Sequence, residues 1–456
     1  MNRPARARCT RRQFLGAAAA ASAAAAAVPS VFPSAVLGSQ GAVPPNDRIT
    51  LGFIGIGAMG QGHVACCVGY PEAQILAVCD VDRSRRERAK TVVEEAYAAA
   101  QDRGAYHGCV AYNDLRELLA RDDIDAVVIA TGDRWHALAT VMAVRAGKDV
   151  YCEKPVSLTI GEARAMIDAV RRYGRVFQGG LQQRSTAEFR KACRLVRGGA
   201  LGRVERVYVA FPGTSGDVSL PAEPVPEGLD WELWLGPAPW HAYNSRFHPY
   251  GRPHGVVPWH FCRDFGGGNL TSNTVHAFDV VQWGLGTDES GPVEIIPPGV
   301  GPYADLTYRY ATGVLLHVVD WRLDPQKHVI PKGWDLNTPL QAFGAVFVGE
   351  RGWIHVGRSG FLQSHPAEIL LEATDDRDAG GPVNNHHLNW LECIRTRRRP
   401  ACDVAIGARS TMVSHLGCIA HWTGRALRWD PAKEEFVDDD EANRLRFRAM
   451  REPWRI

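Results

Sequence analysis

Three glycines follow an apolar run near the start of the chain. Gly55, Gly57 and Gly60 form a G-x-G-x-x-G motif directly after residues 49–54. The first glycine of such a motif permits a tight turn, the second lets the backbone approach a pyrophosphate, and the third allows close packing of the next helix. Amides at a helix start favour anions. The motif predicts a dinucleotide site that involves Gly55, Ile56, Gly57, Ala58 and Met59.

Asp80 strengthens this prediction. It lies twenty residues after Gly60, at the end of the next apolar run. A carboxylate there accepts hydrogen bonds from ribose hydroxyls and repels a 2′-phosphate. We therefore expect NAD rather than NADP, although Arg83 is near enough in sequence to soften that preference. The alternative is a glycine turn that binds no ligand.

The elements around the motif alternate in type. Strand-like runs are separated by helical stretches up to about residue 182, which indicates parallel βαβ units. Residues 204–211, 304–323 and 342–356 favour strands, and 385–395 and 405–425 favour helices. Residues 212–265 form a long irregular stretch, and such stretches are usually functional. The sequence predicts an α/β protein with domains at residues 46–182 and 183–456.

Composition excludes several classes of protein. The chain has 456 residues, of which 45% are hydrophobic and 22% charged, as in ordinary globular proteins. Removing the five arginines of residues 1–46 from the net charge of +2 leaves −3 for residues 47–456. A slightly acidic body gives no electrostatic reason to bind nucleic acid. No Cys-x-x-Cys pair, zinc-finger spacing or zincin spacing is present, so we predict no metal.

The first residues read as a targeting signal. Arg11 and Arg12 precede an alanine-rich run from Phe14 to Val28, which is shorter than the ~20 residues that span a bilayer. A basic start and a short apolar middle are typical of a secretory signal, and paired arginines favour the twin-arginine route. We expect residues 1–42 to be a twin-arginine signal peptide that interacts with the export machinery and leads to the periplasm. The alternative is a retained anchor.

Further motifs make the sequence similar to a known protein family. Three further segments occur in order along the chain, namely residues 130–136 (ATGDRWH), 153–155 (EKP) and 180–185 (GLQQRS). They are followed by residues 266–270 (GGGNL), His276 and Asp279. With the glycine motif, this pattern resembles the Gfo/Idh/MocA oxidoreductases, over roughly residues 48–456. The ending resembles their secreted bacterial branch.

The resemblance implies a fold and a site. It implies a Rossmann domain followed by an α/β domain with a large, open, mostly antiparallel sheet that often pairs into homo-oligomers. It implies a carbohydrate or inositol substrate between the nicotinamide and that sheet. It adds Thr131, His136, Glu153 and Lys154 to the cofactor site.

Two residues are candidates for catalysis. By resemblance, Lys154 approaches the reacting oxygen, where its ammonium stabilises an alkoxide or its amine acts as base. His276 matches the family histidine and has a pKa in the useful range for proton acceptance. Ser272 replaces the family's first aspartate and Thr274 replaces its glycine, which puts ordinary dehydrogenation in doubt. Asp279 is expected to be structural.

Other residues are candidates for substrate binding. Gln183 and Arg184 either contact substrate or brace the domain junction. Asn273 and Trp259 complete the predicted set with His276. Aromatic faces suit sugar C–H surfaces, although packing of the loop is an equally simple role for Trp231, Trp234, Trp240 and Trp259.

These observations favour an NAD(P)-dependent oxidoreductase that acts on a secondary alcohol of a sugar, inositol or glycoside. Because free NAD is scarce outside the cytoplasm, export favours tightly bound NAD and a redox-neutral cycle, such as epimerisation or glycoside cleavage through a transient ketone. Two alternatives stay open. One is a simple dehydrogenase, and the other is a carbohydrate-binding protein with a relic cofactor site.

Overall fold

A six-stranded parallel sheet forms the N-terminal half of the computed structural model, which describes residues 48–101, 106–250, 258–372 and 385–456. The predicted signal peptide lies outside the described residues. The strand order is β3-β2-β1-β4-β5-β6. The strands are β1 Ile49–Ile54, β2 Ala73–Cys79, β3 Val110–Tyr112, β4 Ala126–Ile129, β5 Asp149–Cys152 and β6 Phe177–Gly179.

Helices connect these strands on both faces. They are α1 Ala58–Cys67, α2 Arg83–Gln101, α3 Leu115–Leu119, α4 Asp133–Arg145 and α5 Ile160–Tyr173. Every residue of β4 and β5 is buried, as expected for central strands covered on both sides. Because β1 and β4 are neighbours in the strand order, their carboxyl ends form the crevice where such sheets bind ligands.

The second half is built on a nine-stranded sheet in the order β13-β12-β11-β7-β10-β9-β8-β14-β15. β7 and β10 pair in parallel, and the other pairs are antiparallel. This confirms the mostly antiparallel sheet. The strands are β7 Val204–Val209, β8 Pro292–Ile296, β9 Leu306–Tyr310, β10 Leu315–Val318, β11 Ala345–Gly349, β12 Gly352–Val356, β13 Leu362–His365, β14 Leu427–Asp430 and β15 Glu435–Phe436.

Residues 304–323 differ from the expected long strand. They form the antiparallel hairpin β9–β10, in which Leu316 pairs with Tyr308. Gly313 has a φ of +88° in the turn, a conformation that glycine adopts without steric cost. The glycine therefore divides one apolar run into two strands.

The second half also contains helices, and one of them packs against the first sheet. They are α6 Ala187–Arg197, α7 Trp231–Leu235, α8 Asn269–Ser272, α9 Thr274–Leu285, α10 His386–Thr396, α11 Val404–Thr423 and α12 Asp440–Arg444. Trp390 of α10 is fully buried with Leu51 of β1 and Tyr151 of β5 in one apolar cluster. Residues 49–456 form one compact unit, which contains both sheets and the crevice. In the part of the chain that the structure describes, no helix is long and apolar enough to cross a membrane.

Candidate active site

The glycine turn after β1 shapes an open cradle. Gly55 has a φ of +87°, and a Cβ there would lie 2.7 Å from the backbone of Ala130. A Cβ at Gly60 would lie 2.0 Å from the carbonyl oxygen of Gly55. At Gly57 the only atom within 4 Å of such a Cβ, among the described residues, is Arg85 Nη1 at 3.8 Å. The first and third glycines are required by packing, whereas the second leaves space for a ligand.

Helix α1 begins at this cradle without a side-chain cap. Ala58 and Met59 line the crevice, so the first amides of the helix are available to an anion such as a pyrophosphate. Ile56 does not line it. Its side chain is fully buried and its N–H donates to Asp80 Oδ2 at 2.6 Å, which corrects its expected role as a cofactor contact.

Asp80 lies at the end of β2, on the wall of the crevice. Its carboxylate accepts hydrogen bonds from the amides of Ile56 and Asp82 at 2.6 and 2.8 Å. These bonds fix the carboxylate where it can meet a ribose, so the residues present fit NAD. Arg85 lines the crevice beside Asp80. Arg83, the arginine considered from the sequence, is outside that lining.

A segment of the second domain forms one wall of the crevice. We call residues 229–250 and 258–265 the cover segment. The crevice has a volume of about 650 Å³, and the cover segment contributes Leu233, Trp234, Phe247, His248, Pro249 and Trp259 to its lining. Trp259 was expected at the substrate. It lies on the dinucleotide crevice instead, because the 3₁₀ turn Pro258–Phe261 belongs to this cover.

Polar contacts connect the cover segment to the end of β2 and to the first turn of α4. His248 Nε2 lies 3.1 Å from Asp82 Oδ2, and the amide of Asp230 donates to the carbonyl of Val81. The indole N–H of Trp135 donates to the carbonyl of Leu233 at 3.0 Å. The apolar cluster of the cover, which includes Trp231, Trp234, Phe247 and Phe265, packs behind these contacts.

Lys154 occupies the turn after β5, next to a cis peptide bond to Pro155. Its half-buried ammonium donates to the backbone carbonyl of Ser272 at 2.9 Å. The hydroxyl of Ser272, which stands where the family has a carboxylate, is buried without a hydrogen-bond partner among the described residues. Asn273 follows directly, and its side chain donates to Asn269 Oδ1 at 3.1 Å. The structure thus brings Lys154, Ser272 and Asn273 together at the junction of α8 and α9.

His276 lies on the first turn of α9 and is buried. With its carboxamide oriented to satisfy both neighbours, Gln183 donates to His276 Nδ1 at 2.9 Å and accepts from Arg358 at 2.9 and 3.0 Å. Burial, and then the charges of Lys154 and Arg358, hold the pKa of His276 well below its usual value. This corrects the expected useful pKa. The ring is neutral, and its proton is on Nε2, so His276 presents a hydrogen-bond donor.

Glu153 is outside the lining of the crevice, and its predicted cofactor contact stays a prediction. Its Oε1 lies 3.0 Å from His63 Nε2 and accepts from Gln182 at 2.9 Å. His63 Nδ1 in turn lies 2.9 Å from His387 Nε2. Although burial raises the pKa of Glu153, its contacts with His63 and the charge of Lys154 lower it to about 2. Glu153 is an ionised anchor beneath Lys154.

Arg184 braces the second domain and does not face the substrate space. It is buried, and its guanidinium bonds to Asp279 at 2.9 Å and to Asp288 at 2.6 Å. Asp279 also accepts from Ser410 at 2.8 Å, which is the structural role expected of it. Because the guanidinium nitrogens donate to these carboxylates, the contacts of Arg184 are those of the bracing alternative.

Thr131 and His136 flank the start of α4. Thr131 lines the crevice. His136 does not, because it is buried with Nδ1 2.6 Å from the carbonyl of Pro155 and Nε2 3.1 Å from that of Thr131. Burial lowers its pKa. A neutral ring donates to one of these two carbonyls, and the short distances place His136 between the Pro155 turn and the end of β4.

One group of possible metal ligands lies in the cover segment, among the residues that the structure describes. His241, Cys262 and Asp264 bring their ligand atoms within 4.8 Å of one another. His241 already bonds to Asp264 at 2.8 Å, and burial raises the pKa of the Cys262 thiol. Positive charge from Arg448 and Arg263 acts on Asp264, so the surroundings disfavour a cation.

Sequence reasoning missed several residues of this site. They are His63 of α1, Gln182 of the 3₁₀ turn Gln182–Ser185, His387 of α10 and Arg358 of the β12–β13 turn. The histidine pair His386-His387 was visible in the sequence. Arg358 carried no local signal, because only the folding of the second sheet brings it to His276.

A Rossmann sheet with a glycine cradle after β1 and a carboxylate at the end of β2 is typical of dinucleotide-binding proteins. Residues 49–181 match the NAD-binding Rossmann model of the Gfo/Idh/MocA oxidoreductase family, and residues 205–328 and 377–456 match its C-terminal alpha/beta domain. The chain belongs to the Gfo/Idh/MocA oxidoreductase family.

Individual relatives are more distant. A glycosyl hydrolase family 109 protein of Shewanella pealeana is 35% identical over 136 residues, which cover 28% of each chain. The uncharacterized oxidoreductase YrbE of Bacillus subtilis is 31% identical over 155 residues, 34% of this chain and 42% of its own. These matches therefore span less than half of the curated relatives. The structure of aldose-aldose oxidoreductase from Caulobacter crescentus, complexed with glycerol, covers 84% of this chain and 99% of its own with a TM-score of 0.53 at 18% identity, which shows the shared fold.

Proposed function

We propose that this protein oxidises a secondary alcohol of a carbohydrate with an NAD that stays bound, and that the hydride later returns within a redox-neutral cycle. The observation that carries the proposal is the covered crevice of about 650 Å³. Because the cover segment forms one wall of this crevice and is held to β2 and α4, its contacts would slow the departure of a bound dinucleotide. A retained cofactor cannot be exchanged after each turnover, so it must be regenerated in place.

The residues of the crevice assign the binding roles. Gly57, Ala58 and Met59 would hold the pyrophosphate, and Asp80 would bind the adenosine ribose. Thr131 would form the wall of the crevice on the side of Lys154. NAD bound there supplies reversible hydride acceptance from the substrate carbon. Preference for NAD over NADP follows from the negative charge of Asp80, and Arg85 limits that preference.

Lys154 and His276 would act on the reacting oxygen. The Lys154 amine would accept the hydroxyl proton as the hydride leaves the substrate carbon, and the ammonium formed would then stabilise the negative charge that develops on the oxygen. His276 Nε2–H donates a second hydrogen bond to the same oxygen, because Gln183 occupies Nδ1. A ketone formed next to a C–H bond makes that hydrogen acidic, and this permits epimerisation or loss of a neighbouring leaving group before the hydride returns. The names of the relatives, a family 109 glycosyl hydrolase and an aldose-aldose oxidoreductase, fit such chemistry.

Nucleotide analysis tests the resident cofactor. The purified chain is denatured and its released nicotinamide nucleotide is quantified, and we expect about one NAD(H) per chain. A sugar panel should then show turnover without accumulation of free NADH. Steady NADH accumulation would instead mark a simple dehydrogenase.

A lysine pair tests the catalytic assignment. Lys154→Met should retain the nucleotide and lose turnover by about 10²–10⁴-fold. Lys191→Met is the matched control, since Lys191 is exposed on α6. Equal turnover of the two variants would remove Lys154 from the mechanism.

Export is proposed on the twin-arginine pattern alone. The full chain should appear in the periplasmic fraction of a bacterial host with its nucleotide bound. Replacing Arg11 and Arg12 by lysine should retain it in the cytoplasm, whereas the same change at Arg6 and Arg8 should not. Cytoplasmic wild-type protein would contradict export.

A second candidate is a carbohydrate-binding protein with a relic cofactor site. It is favoured by Ser272, whose buried hydroxyl replaces a carboxylate and has no partner among the described residues. Sugar binding by calorimetry with no hydride exchange in wild type or in Ser272→Asp would favour this candidate over the enzyme.

A further inference from the structure

We infer that the sheet edge beside His276 carries a subsite for a second sugar ring, so that the substrate is a glycoside of two or more rings and not a free monosaccharide. The inference rests on the proposed function. The subsite consists of Phe211, Trp321 and Phe343, here called the aromatic ladder, together with Arg358.

Strand topology brings these residues to one edge of the second sheet. β7 and β10 are parallel neighbours, with Val209 paired to Val318, and Phe211 and Trp321 follow their ends. β11 is antiparallel to β7, so Phe343, which precedes β11, lies at the same edge. β12 is antiparallel to β11 and ends there, just before Arg358. This edge is the one that meets α9, because Thr274 Oγ1 donates to the carbonyl of Phe211 at 2.6 Å.

The aromatic ladder runs from solvent to His276 without a break. The Trp321 and Phe211 rings lie 4.5 Å apart between centroids at 70°. Phe211 and Phe343 stack at 5.5 Å and 29°, and Phe343 meets His276 edge-on at 5.4 Å and 83°. Trp321 is thus three ring contacts from the catalytic imidazole.

Exposure and backbone geometry distinguish the ladder from ordinary packing. Trp321 is 50% exposed. Phe211 and Phe343 have φ values of +74° and +60°, in the left-handed region that bulky residues rarely adopt. Backbone strain of this kind persists where the surrounding structure fixes it, and it concentrates at ligand sites.

Arg358 supplies polar recognition at the inner end of the ladder. Its guanidinium lies 3.9 Å from the Phe343 ring centroid and donates to Gln183. Among the described residues, no carboxylate lies within ion-pair distance of it. The exposed Trp321 ring offers a face to sugar C–H groups, and Arg358 at the inner end of the ladder offers charged donors to hydroxyl oxygens, a combination that suits a carbohydrate. It continues the site at His276 outward along the ladder.

Matched sugars test the subsite on the full chain with its nucleotide bound. Glucose is compared with cellobiose, galactose with lactose, and N-acetylglucosamine with its β-1,4-linked dimer, by calorimetry. For at least one pair we expect the disaccharide to bind about tenfold more tightly than the monosaccharide, or 1.4 kcal/mol.

Substitution of the outer ring should remove that difference. Trp321→Ala should bring the disaccharide to the affinity of the monosaccharide, which itself should not change, and Trp321→Phe should restore part of the gain. Phe447→Ala, at an aromatic residue that is 59% exposed outside both the ladder and the cover segment, is the matched control and should behave as wild type.

Three results would overturn the inference. If both sugars of every pair bind wild type equally, the subsite fails while the proposed function stands. If no sugar binds at all, the proposed function fails first. If Trp321→Ala changes the mass by size-exclusion chromatography with light scattering and not the disaccharide preference, the ladder is an interface with a second copy of this chain.

Discussion

Arg134 of the Rossmann half contacts both the indole ring and the backbone carbonyl of Trp234 in the cover segment. Its guanidinium lies 3.7 Å from the indole ring centroid, and its Nε and Nη2 both donate to the Trp234 carbonyl. Both residues are buried and both line the dinucleotide crevice. Trp234 also donates from its indole N–H to His248 at 3.1 Å, so Arg134 is linked through it to the Asp82 end of the crevice. A single arginine thereby couples the cover to the nucleotide site.

Loss of this contact should release the cofactor. Arg134→Met keeps most of the side-chain volume but removes the cation–π contact and two hydrogen bonds, together worth about 2 kcal/mol. We expect bound NAD to dissociate about thirtyfold faster, measured by a chase with isotopically labelled NAD. Arg145→Met is the control, because Arg145 is exposed at the far end of the same helix. Equal dissociation rates in the two variants would show that the cover does not retain the cofactor.

The cradle at Gly57 can be filled without disturbing the fold. Gly57 has a φ of −70°, which alanine also adopts, and a Cβ there meets no atom closer than 3.8 Å. Gly57→Ala should therefore keep the melting temperature of the nucleotide-free protein and weaken NAD binding about a hundredfold or more, because the methyl group takes the place of the pyrophosphate.

Gly62→Ala provides the comparison on the same helix. A Cβ at Gly62 has no atom within 4 Å among the described residues, and alanine is the better helix former by about 1 kcal/mol. This variant should melt at a higher temperature with unchanged NAD affinity. NAD affinities that fall equally in both variants would place the pyrophosphate elsewhere.

Local patterns predicted the first half of the fold closely. β1 begins and ends where its apolar run does, and the close approach of Gly60 to the carbonyl of Gly55 involves residues near one another in the sequence. The helix Ala187–Arg197 was missed, although Phe189, Ala192 and Val196 give it an apolar face. Its sequence is rich in arginine and lies beyond the last Rossmann strand, where the regular alternation of elements ends.

Long-range contacts explain what could not be predicted. Trp259 was assigned to the substrate because aromatic residues suit sugars, but its neighbours on the cover segment dock on β2 and α4. Arg184 was assigned as a substrate contact with bracing as the alternative, and only Asp288, about a hundred residues away, decides between the two. In both cases the residue type was informative and its partner lay far along the chain.

Asp80 and Arg85 together should set the choice between NAD and NADP. Asp80→Ser removes the charge that opposes a 2′-phosphate and leaves Arg85, which lines the same wall, to attract it. We expect the affinity ratio of NAD to NADP to fall by about ten- to a hundredfold, measured by calorimetry on nucleotide-free protein. Adding Arg85→Ala should cancel the gain in NADP affinity. A ratio unchanged in Asp80→Ser would show that the discrimination lies elsewhere in the crevice.

Buried histidines should make the protein less stable in mild acid. Burial lowers the pKa of His355 to about 4, of His386 to about 4 and of His415 to about 4. Above pH 6.5 these rings are neutral in both the folded and the unfolded chain. As the pH falls below 6.5 the unfolded chain takes up protons that the native chain does not, so stability falls.

The expected loss approaches about 1.4 kcal/mol per pH unit for each such histidine, and it begins before the carboxylates titrate. Guanidinium unfolding at pH 6.5 and pH 5.0 measures it. His355 gives the sharpest variant, because burial alone lowers its pKa and its Nε2 accepts from the amide of Gln341 at 3.1 Å, a bond that a glutamine oxygen can replace. His355→Gln should therefore lose less stability than wild type between the two pH values. A loss identical to that of wild type would mean that His355 is protonated in the native state and that burial does not exclude its charge.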